Sequence, residues 1–311
     1  LDHGTDFSTT VDGIPINLPT NAHGQGYLDM NFTIPELVES VAYRKGTYYA
    51  DEGNFSAAGA AHMQYRDRVD APFVTLGGGE DGYYRALLAA SPRVAGGDLL
   101  MAGEYFHNDG PWKNPEDFRK VSGVLKYSRG DAGSGWSVEA MGYDGQWHST
   151  DQIPLRAVQA GDIGRFGAID PTDGGETHRY GLSGNWHSSL GAGSLHATAY
   201  AVDYQLDLLS NFTYATDPLH GDQFEQFESR RYYGGDLAWD APWSPWGLAG
   251  SVTAGLQVRY DDIQPVALYH TVARQRYATV REDDVQQASY GAYGAASLHW
   301  TDWLRMDAGL R

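Results

Sequence analysis

The stretch Leu248-Ala249-Gly250-Ser251-Val252-Thr253-Ala254-Gly255-Leu256-Gln257-Val258-Arg259-Tyr260 decides the fold. Its even positions carry Leu, Gly, Val, Ala, Leu, Val and Tyr, while its odd positions carry Ala, Ser, Thr, Gly, Gln and Arg. Successive side chains of a strand point to opposite faces, so this is a long strand with lipid or core on one side and water on the other. The same alternation returns in Tyr290, Ala292, Gly294, Ala296, Leu298 and Trp300, in Leu304, Met306, Ala308 and Leu310, and less cleanly in Tyr180–Trp186 and Trp136–Gly142. About eleven antiparallel strands are expected, near 73–79, 83–90, 98–106, 118–127, 135–143, 178–187, 195–205, 230–239, 248–260, 287–300 and 303–311. Several exceed the five or six residues usual in globular strands and suit a tilted membrane strand.

Composition narrows the class. The 311 residues include 22 Lys+Arg against 40 Asp+Glu, a formal charge of −18. So acidic a chain repels phosphate backbones, which argues against nucleic-acid binding. Without cysteine there is no disulfide framework, thiolate metal site or cysteine catalysis. The longest apolar run, Ala86 to Ala90, is far short of the roughly 20 residues of a spanning helix. The 39 Gly, 21 Tyr and 9 Trp suit a transmembrane β-barrel, whose polar interior and aromatic outer band need small and aromatic residues.

Connection lengths agree. Short turns fall at 91–98, 129–134, 188–194, 241–247 and 301–302, and longer connections at 106–117, 144–177, 206–229 and 261–286. Outer-membrane barrels have this asymmetry, with short periplasmic turns and long external loops. Trp136, Trp186, Trp239 and Trp300 lie on the apolar register near short turns, as a periplasmic aromatic girdle would. On the opposite register fall Arg85, Glu104, Lys126, Glu139, Arg179, Asp236, Arg259, Arg305 and Asp307, charges too costly for a lipid face.

The first seventy residues read differently, as part of a small α/β unit. Pro35–Ser40 is expected to be a short helix with Pro at its start, Val41–Arg44 a strand, and Ala61–Arg66 another, with Val69–Pro72 as linker. Here the chain resembles the TonB-dependent outer-membrane receptors. Val11-Asp12-Gly13-Ile14-Pro15 is similar to a plug strand of that family, Ile34–Glu39 with Tyr43-Arg44-Lys45-Gly46 to the plug's helix, strand and turn, and Gly53–Gly59 to the glycine-rich turn before its last strand. Among barrel segments, His107–Trp112 and Asp170–Gly175 are similar too.

The resemblance implies an all-β transmembrane barrel of 22 strands closed round an N-terminal plug. Residues 1–70 would be the C-terminal part of the plug and 71–311 the N-terminal half of the barrel, so the chain is expected to be part of a longer protein. The implied function is TonB-dependent active transport of a scarce or large ligand, whether siderophore, haem, cobalamin or oligosaccharide. It would be driven by the TonB-ExbB-ExbD complex in the outer membrane of a Gram-negative bacterium, with outer-membrane lipid around the barrel and no cofactor. The alternative is a passive porin-like or adhesin barrel, which would lack the plug. By the same resemblance Arg44 would lock the plug through a barrel carboxylate, with Glu104 or Glu139 as partner. Trp112, Trp147, Phe212 and Tyr214 are loop aromatics suited to stacking on a ligand.

Other motifs resolve into structural readings. Gly77-Gly78-Gly79-Glu80-Asp81-Gly82 satisfies G-x-G-x-x-G, but a strand rather than a helix follows, so a hairpin is expected. Asp170, Asp173 and Glu176 lack the ligand order of a calcium loop and read as a solvated acidic loop. The eleven histidines show no paired metal spacing, so no metal site is expected. No G-x-S-x-G elbow or other catalytic constellation is found, and the chain is not expected to be an enzyme.

Overall fold

A computed structural model describes residues 4–149, 151–213 and 216–311. They form two sheets. The N-terminal one contains β1 (Phe7–Val11), β2 (Ile14–Pro15), β3 (Val38–Lys45) and β4 (Gly59–Tyr65) in the order β2-β1-β4-β3. Strand β1 runs parallel to β4, and the other pairs are antiparallel. Asp12 and Gly13 turn β1 into β2 with φ of 46° and 81°. Positive φ at both central residues is what the twist-matched two-residue hairpin requires, and Asp-Gly supplies it cheaply. The helix expected at Pro35–Ser40 is only a single 3-10 turn, Pro35–Leu37. Pairing of Val38 with Tyr65 and of Val41 with Met63 draws the following residues into β3 instead.

The second sheet is a continuous antiparallel wall. Its strands are β5 (Phe73–Gly78), β6 (Tyr84–Ala90), the two-residue β7 (Arg93–Val94), β8 (Gly97–Asn108), β9 (Phe118–Gly130), β10 (Ser134–His148), β11 (Gly174–Leu190), β12 (Gly193–Ser210), β13 (Phe224–Trp243), β14 (Gly250–Val272), β15 (Gln275–Thr301) and β16 (Leu304–Leu310). Apart from β7, which pairs only with β8, each strand pairs with its neighbours in the sequence. This is the up-and-down order of a membrane barrel. The expected all-β barrel and its eleven main strands are therefore present, and Gly77–Gly82 belongs to the β5–β6 hairpin.

One connection differs from expectation. Residues 261–286 are not a loop, because β14 and β15 continue through them and join at Ala273 and Arg274, both with positive φ. Outside the bilayer both faces of a strand meet water, so the apolar alternation fades while backbone pairing goes on. Register shifts at Ile263/Val266, Leu268/Tyr269 and His270/Thr271 disturb the period further. For the same reason β10 and β11 reach His148 and Gly174, and β12 and β13 reach Ser210 and Phe224, so the loops shorten to 149–173, which carries the helix α1 (Leu155–Ala160), and 211–223.

The two registers divide as the alternation requires. Val74, Leu76, Leu88, Val138, Leu182, Leu237, Leu256 and Val258 are exposed on the outer face, and Trp136, Trp186, Trp239 and Trp300 stand there 37–44% exposed. Inward-facing Glu104, Lys126, Glu139 and Arg179 are buried against the N-terminal sheet. Between sheet and wall, Val11, Ile14, Ile16, Leu18, Phe32, Ile34 and Leu37 pack with Leu87, Leu100, Val124, Met141, Tyr143, Val202, Tyr204 and Tyr232. Among the described residues no helix is long and apolar enough to cross a membrane.

Candidate functional site

The candidate functional feature is the junction between the N-terminal sheet and the wall. At its lower end, toward the short turns, the Asp12-Gly13 hairpin touches three wall strands. Lys126 Nζ on β9 lies 3.1 Å from Asp12 Oδ2 and donates to the Tyr65 carbonyl at 2.9 Å. Asn185 Nδ2 on β11 donates to the Asp12 carbonyl at 3.2 Å, and a Cβ on Gly13 would press on Thr198 of β12. Asp12 Oδ1 accepts from the Tyr65 amide at 3.0 Å, which holds the turn against β4. Glu139 faces Lys126 across the β9–β10 ladder.

A second junction lies beside the 3-10 turn. Arg85 on β6 donates Nη1 and Nη2 to the two oxygens of Glu36 at 2.6 and 2.8 Å, and Nε to Glu104 at 2.6 Å. Lys120 Nζ sits 2.7 Å from Glu104 Oε1 and reaches the Asn31 carbonyl at 3.0 Å. Bidentate pairing on Glu36 fixes geometry as well as charge. The same contact holds the Glu36 carboxyl below its usual range, with the Arg85 hydrogen bond as the main cause.

The third junction captures main chain. Arg230 on β13 is fully buried, with Nε on Glu228 and Nη1 on Asp261, both at 2.7 Å, and Nη2 on the Pro19 carbonyl at 2.6 Å. Glu228 accepts from the Ala22 amide at 3.0 Å. Arg259 Nη1 on β14 donates to the Asn17 carbonyl at 2.9 Å, its guanidinium 4.4 Å from the Tyr232 ring centre. Tyr232 accepts from Arg179 at 2.7 Å and donates to the Pro15 carbonyl at 3.2 Å. Arg230, buried with Nε, Nη1 and Nη2 all bonded, is thereby fixed in place.

The expected Arg44 lock is corrected. Arg44 Nη1 lies 2.5 Å from Asp51 and 3.1 Å from Glu52, both in the plug, and Glu52 also meets His62 Nε2 at 2.6 Å. A loop a few residues on supplies acceptors at no closure cost, so Arg44 reaches neither Glu104 nor Glu139. Those two carboxylates do lie where plug and wall meet, but their basic neighbours are Arg85, Lys120 and Lys126. The charge register named Arg85, Lys126 and Arg259. Arg230, Glu228 and the carbonyl acceptors escaped it, because a carbonyl leaves no residue-type signal and Arg230 lies at a register shift.

At the open end, loops 149–173 and 211–223 and the β14–β15 hairpin converge on Gln223. Its Nε2 donates to Asp173 Oδ1 and Thr172 Oγ1 at 2.9 Å and to Asp170 at 3.2 Å, while its Oε1 accepts from Thr271 Oγ1 and the Arg274 amide at 2.9 Å. The acidic run read as solvated is thus partly enclosed, with Asp173 only 1% exposed. Burial raises the Asp173 carboxyl to about 7, opposed by Gln223 and aided by the Asp170 and Asp151 charges. Trp112 bonds Glu116 through Nε1 at 2.8 Å and leans on Phe166, Phe212 packs on Phe224, and Trp147, partly buried, packs against the core. These aromatics do not form one platform. Tyr214 lies outside the described residues.

A sheet of next-neighbour antiparallel strands bonded to an N-terminal four-stranded domain along its inner face defines a plugged barrel wall, the fold of the TonB-dependent outer-membrane receptors. Among solved structures the copper transporter OprC aligns with a TM-score of 0.72 at 15% identity, over 98% of this chain and 46% of that one. The pyoverdine outer membrane receptor FpvA from Pseudomonas aeruginosa PAO1 aligns at 0.73 and 14% identity over 97% and 48%, and the ferric citrate transporter FecA at 0.70 and 11% over 99% and 54%. The chain thus spans about half the length of these structures. No protein-family model and no curated protein sequence matches it.

Proposed function

We propose that the chain serves energy-coupled uptake across the outer membrane of a Gram-negative bacterium, with residues 1–70 as plug, 71–311 as part of the barrel, and the TonB-ExbB-ExbD complex as the source of force. The observation that carries this reading is the chemistry of the junction. The plug is held by hydrogen bonds and ion pairs at Asp12, Glu36, Asn17, Pro19 and Ala22 around an apolar contact, with no disulfide across it. Such bonds can be exchanged for water when the plug is pulled, whereas a passive pore gains nothing from an internal domain that fills it.

The ligand is a scarce or large solute. Metal chelates are the first to test, since the structural neighbours are named for copper, ferric citrate and pyoverdine. The full-length protein, expressed in a receptor-deficient host, should support uptake of a radiolabelled ferric chelate from a panel, and uptake should vanish when tonB is deleted. Solute flux that survives that deletion and is unchanged by removal of residues 1–70 would favour the porin-like alternative. The reading predicts no catalytic turnover of the ligand.

A further inference from the structure

Among the described residues, one group of three side chains brings metal-ligating atoms within 4.8 Å of one another: His107 at the end of β8, with Asp109 and Asp117 in the loop that follows. His107 Nε2 lies 3.1 Å from Asp117 Oδ1 and 3.6 Å from Asp109 Oδ1. Two ligands each about 2.0–2.2 Å from a zinc-type ion lie up to roughly 4 Å apart, so little contraction is needed.

The surroundings prepare the three atoms. His107 Nδ1 is 2.8 Å from the Gly82 carbonyl, an acceptor only, so Nδ1 carries the proton. In the neutral ring Nε2 is then a bare lone pair, aimed at two carboxylates. Acceptors facing acceptors need a proton or a metal cation between them. Arg119 holds the other oxygen of Asp117 at 3.3 Å, the Tyr84 ring stacks on the imidazole at 4.6 Å, and a Cβ on Gly82 would collide with Asp109 Oδ2. An outer partner that fixes tautomer and orientation is the usual support of a metal-bound histidine. His107 shares the outward register of Met101 and Tyr105, so the group lies on the outer side of the wall, apart from the junction with the plug.

We propose that His107, Asp109 and Asp117 bind a divalent cation of the zinc type, which rivets the β5–β6 turn to the β8–β9 loop. One imidazole with two carboxylates suits a borderline transition ion better than calcium, which prefers an all-oxygen shell. The site leaves coordination positions for water and is independent of the transport reading. The alternative is a protonated His107 that bridges the two carboxylates without metal.

The test uses the full-length protein, stripped of metal in detergent, with zinc chloride as probe. The wild type should bind one equivalent that Asp109→Asn and Asp117→Asn each weaken at least about tenfold, and Arg119→Gln, which leaves the ligands intact, by about tenfold. Zinc should slow amide exchange at 80–83 and 109–117 in the wild type only, with heat-modifiable gel migration showing that all four proteins assemble. Equal zinc binding in every protein, exchange that zinc does not alter, or a histidine-107 Nε2 that stays protonated at neutral pH in the presence of zinc would each overturn the proposal.

Discussion

Lys126 Nζ stands 3.1 Å from Asp12 Oδ2, so the inner face of the barrel wall grips the plug at the turn its Asp-Gly dipeptide makes. The ammonium is all but enclosed, and its second carboxylate, Asp67, is largely exposed. The Asp12 contact therefore carries most of the pairing.

Breaking it from one side should be costly. Removing one member of a buried pair leaves the other charge uncompensated, at about 3–5 kcal/mol where the site is dry. Lys126→Met and Asp12→Asn in the full-length protein should each speed amide exchange in β1 and β4 without preventing barrel assembly. A double-mutant cycle should give a non-zero coupling for this pair. Additive effects would show that Lys126 is held by Glu139 and the Tyr65 carbonyl alone.

Arg44 should behave otherwise. Its partners Asp51 and Glu52 belong to the plug, and Asp51 is about one third exposed, so Arg44→Ala should cost no more than about 1 kcal/mol. Faster exchange confined to 44–52 is expected, and cycles with Glu104→Gln and Glu139→Gln should be additive. A coupling with either glutamate would restore the inter-domain lock that the structure does not form.

How far the sequence could be read follows from where its signals arise. Strand order was legible because the membrane imposes the two-residue period: Leu256 and Val258 must meet lipid, and Gln257 and Arg259 must not. Where β14 and β15 leave the bilayer no such constraint acts, and Asp283 or Thr279 could have belonged to a loop as easily as to the paired strand they form. At the junction, charge on the inner register marked Arg85, Lys126 and Arg259 as important but not what they meet. Asn17, Pro19 and Asn31 offer carbonyls, which every residue possesses. Arg44 misled because a basic residue in a plug has many acceptors within reach, and the local ones win.

The lipid register gives a direct test of the wall. Leu256 lies on the outer face between Trp239, near the short turns, and Tyr260, toward the open end. Leu256→Arg should destabilise the assembled barrel by about 2–4 kcal/mol if that position lies at the bilayer midplane. Thr253→Arg, facing inward beside Asp240, should be nearly silent. Folding yields into lipid vesicles that fall equally for both would contradict the assignment of faces.

The clasp at Gln223 should depend on pH. Asp173 is enclosed with Asp151 and Asp170 nearby, the Arg274 side chain on the adjacent Thr172 carbonyl, and its carboxyl raised to about 7 from an ordinary value of 3.8. An acid whose folded value is raised holds its proton more tightly folded than unfolded. Its favourable contribution is complete below about 3.8 and is lost as pH rises through about 7. The three external segments should therefore be most tightly joined below about pH 4 and loosen progressively up to about pH 7, by which point the Asp173 carboxylate stands beside two others. Amide exchange in 149–173 and 271–276, corrected for its intrinsic pH dependence, should rise across that range. Asp173→Asn keeps an acceptor for Gln223 Nε2 and cannot ionise, so its corrected exchange should stay flat at the slow, low-pH level. If the wild type is also flat, Asp173 is ionised throughout and Gln223 alone holds the clasp. If the variant instead exchanges fast at every pH, the carboxyl proton is needed as a donor to Asp151, and the clasp rests on that bond.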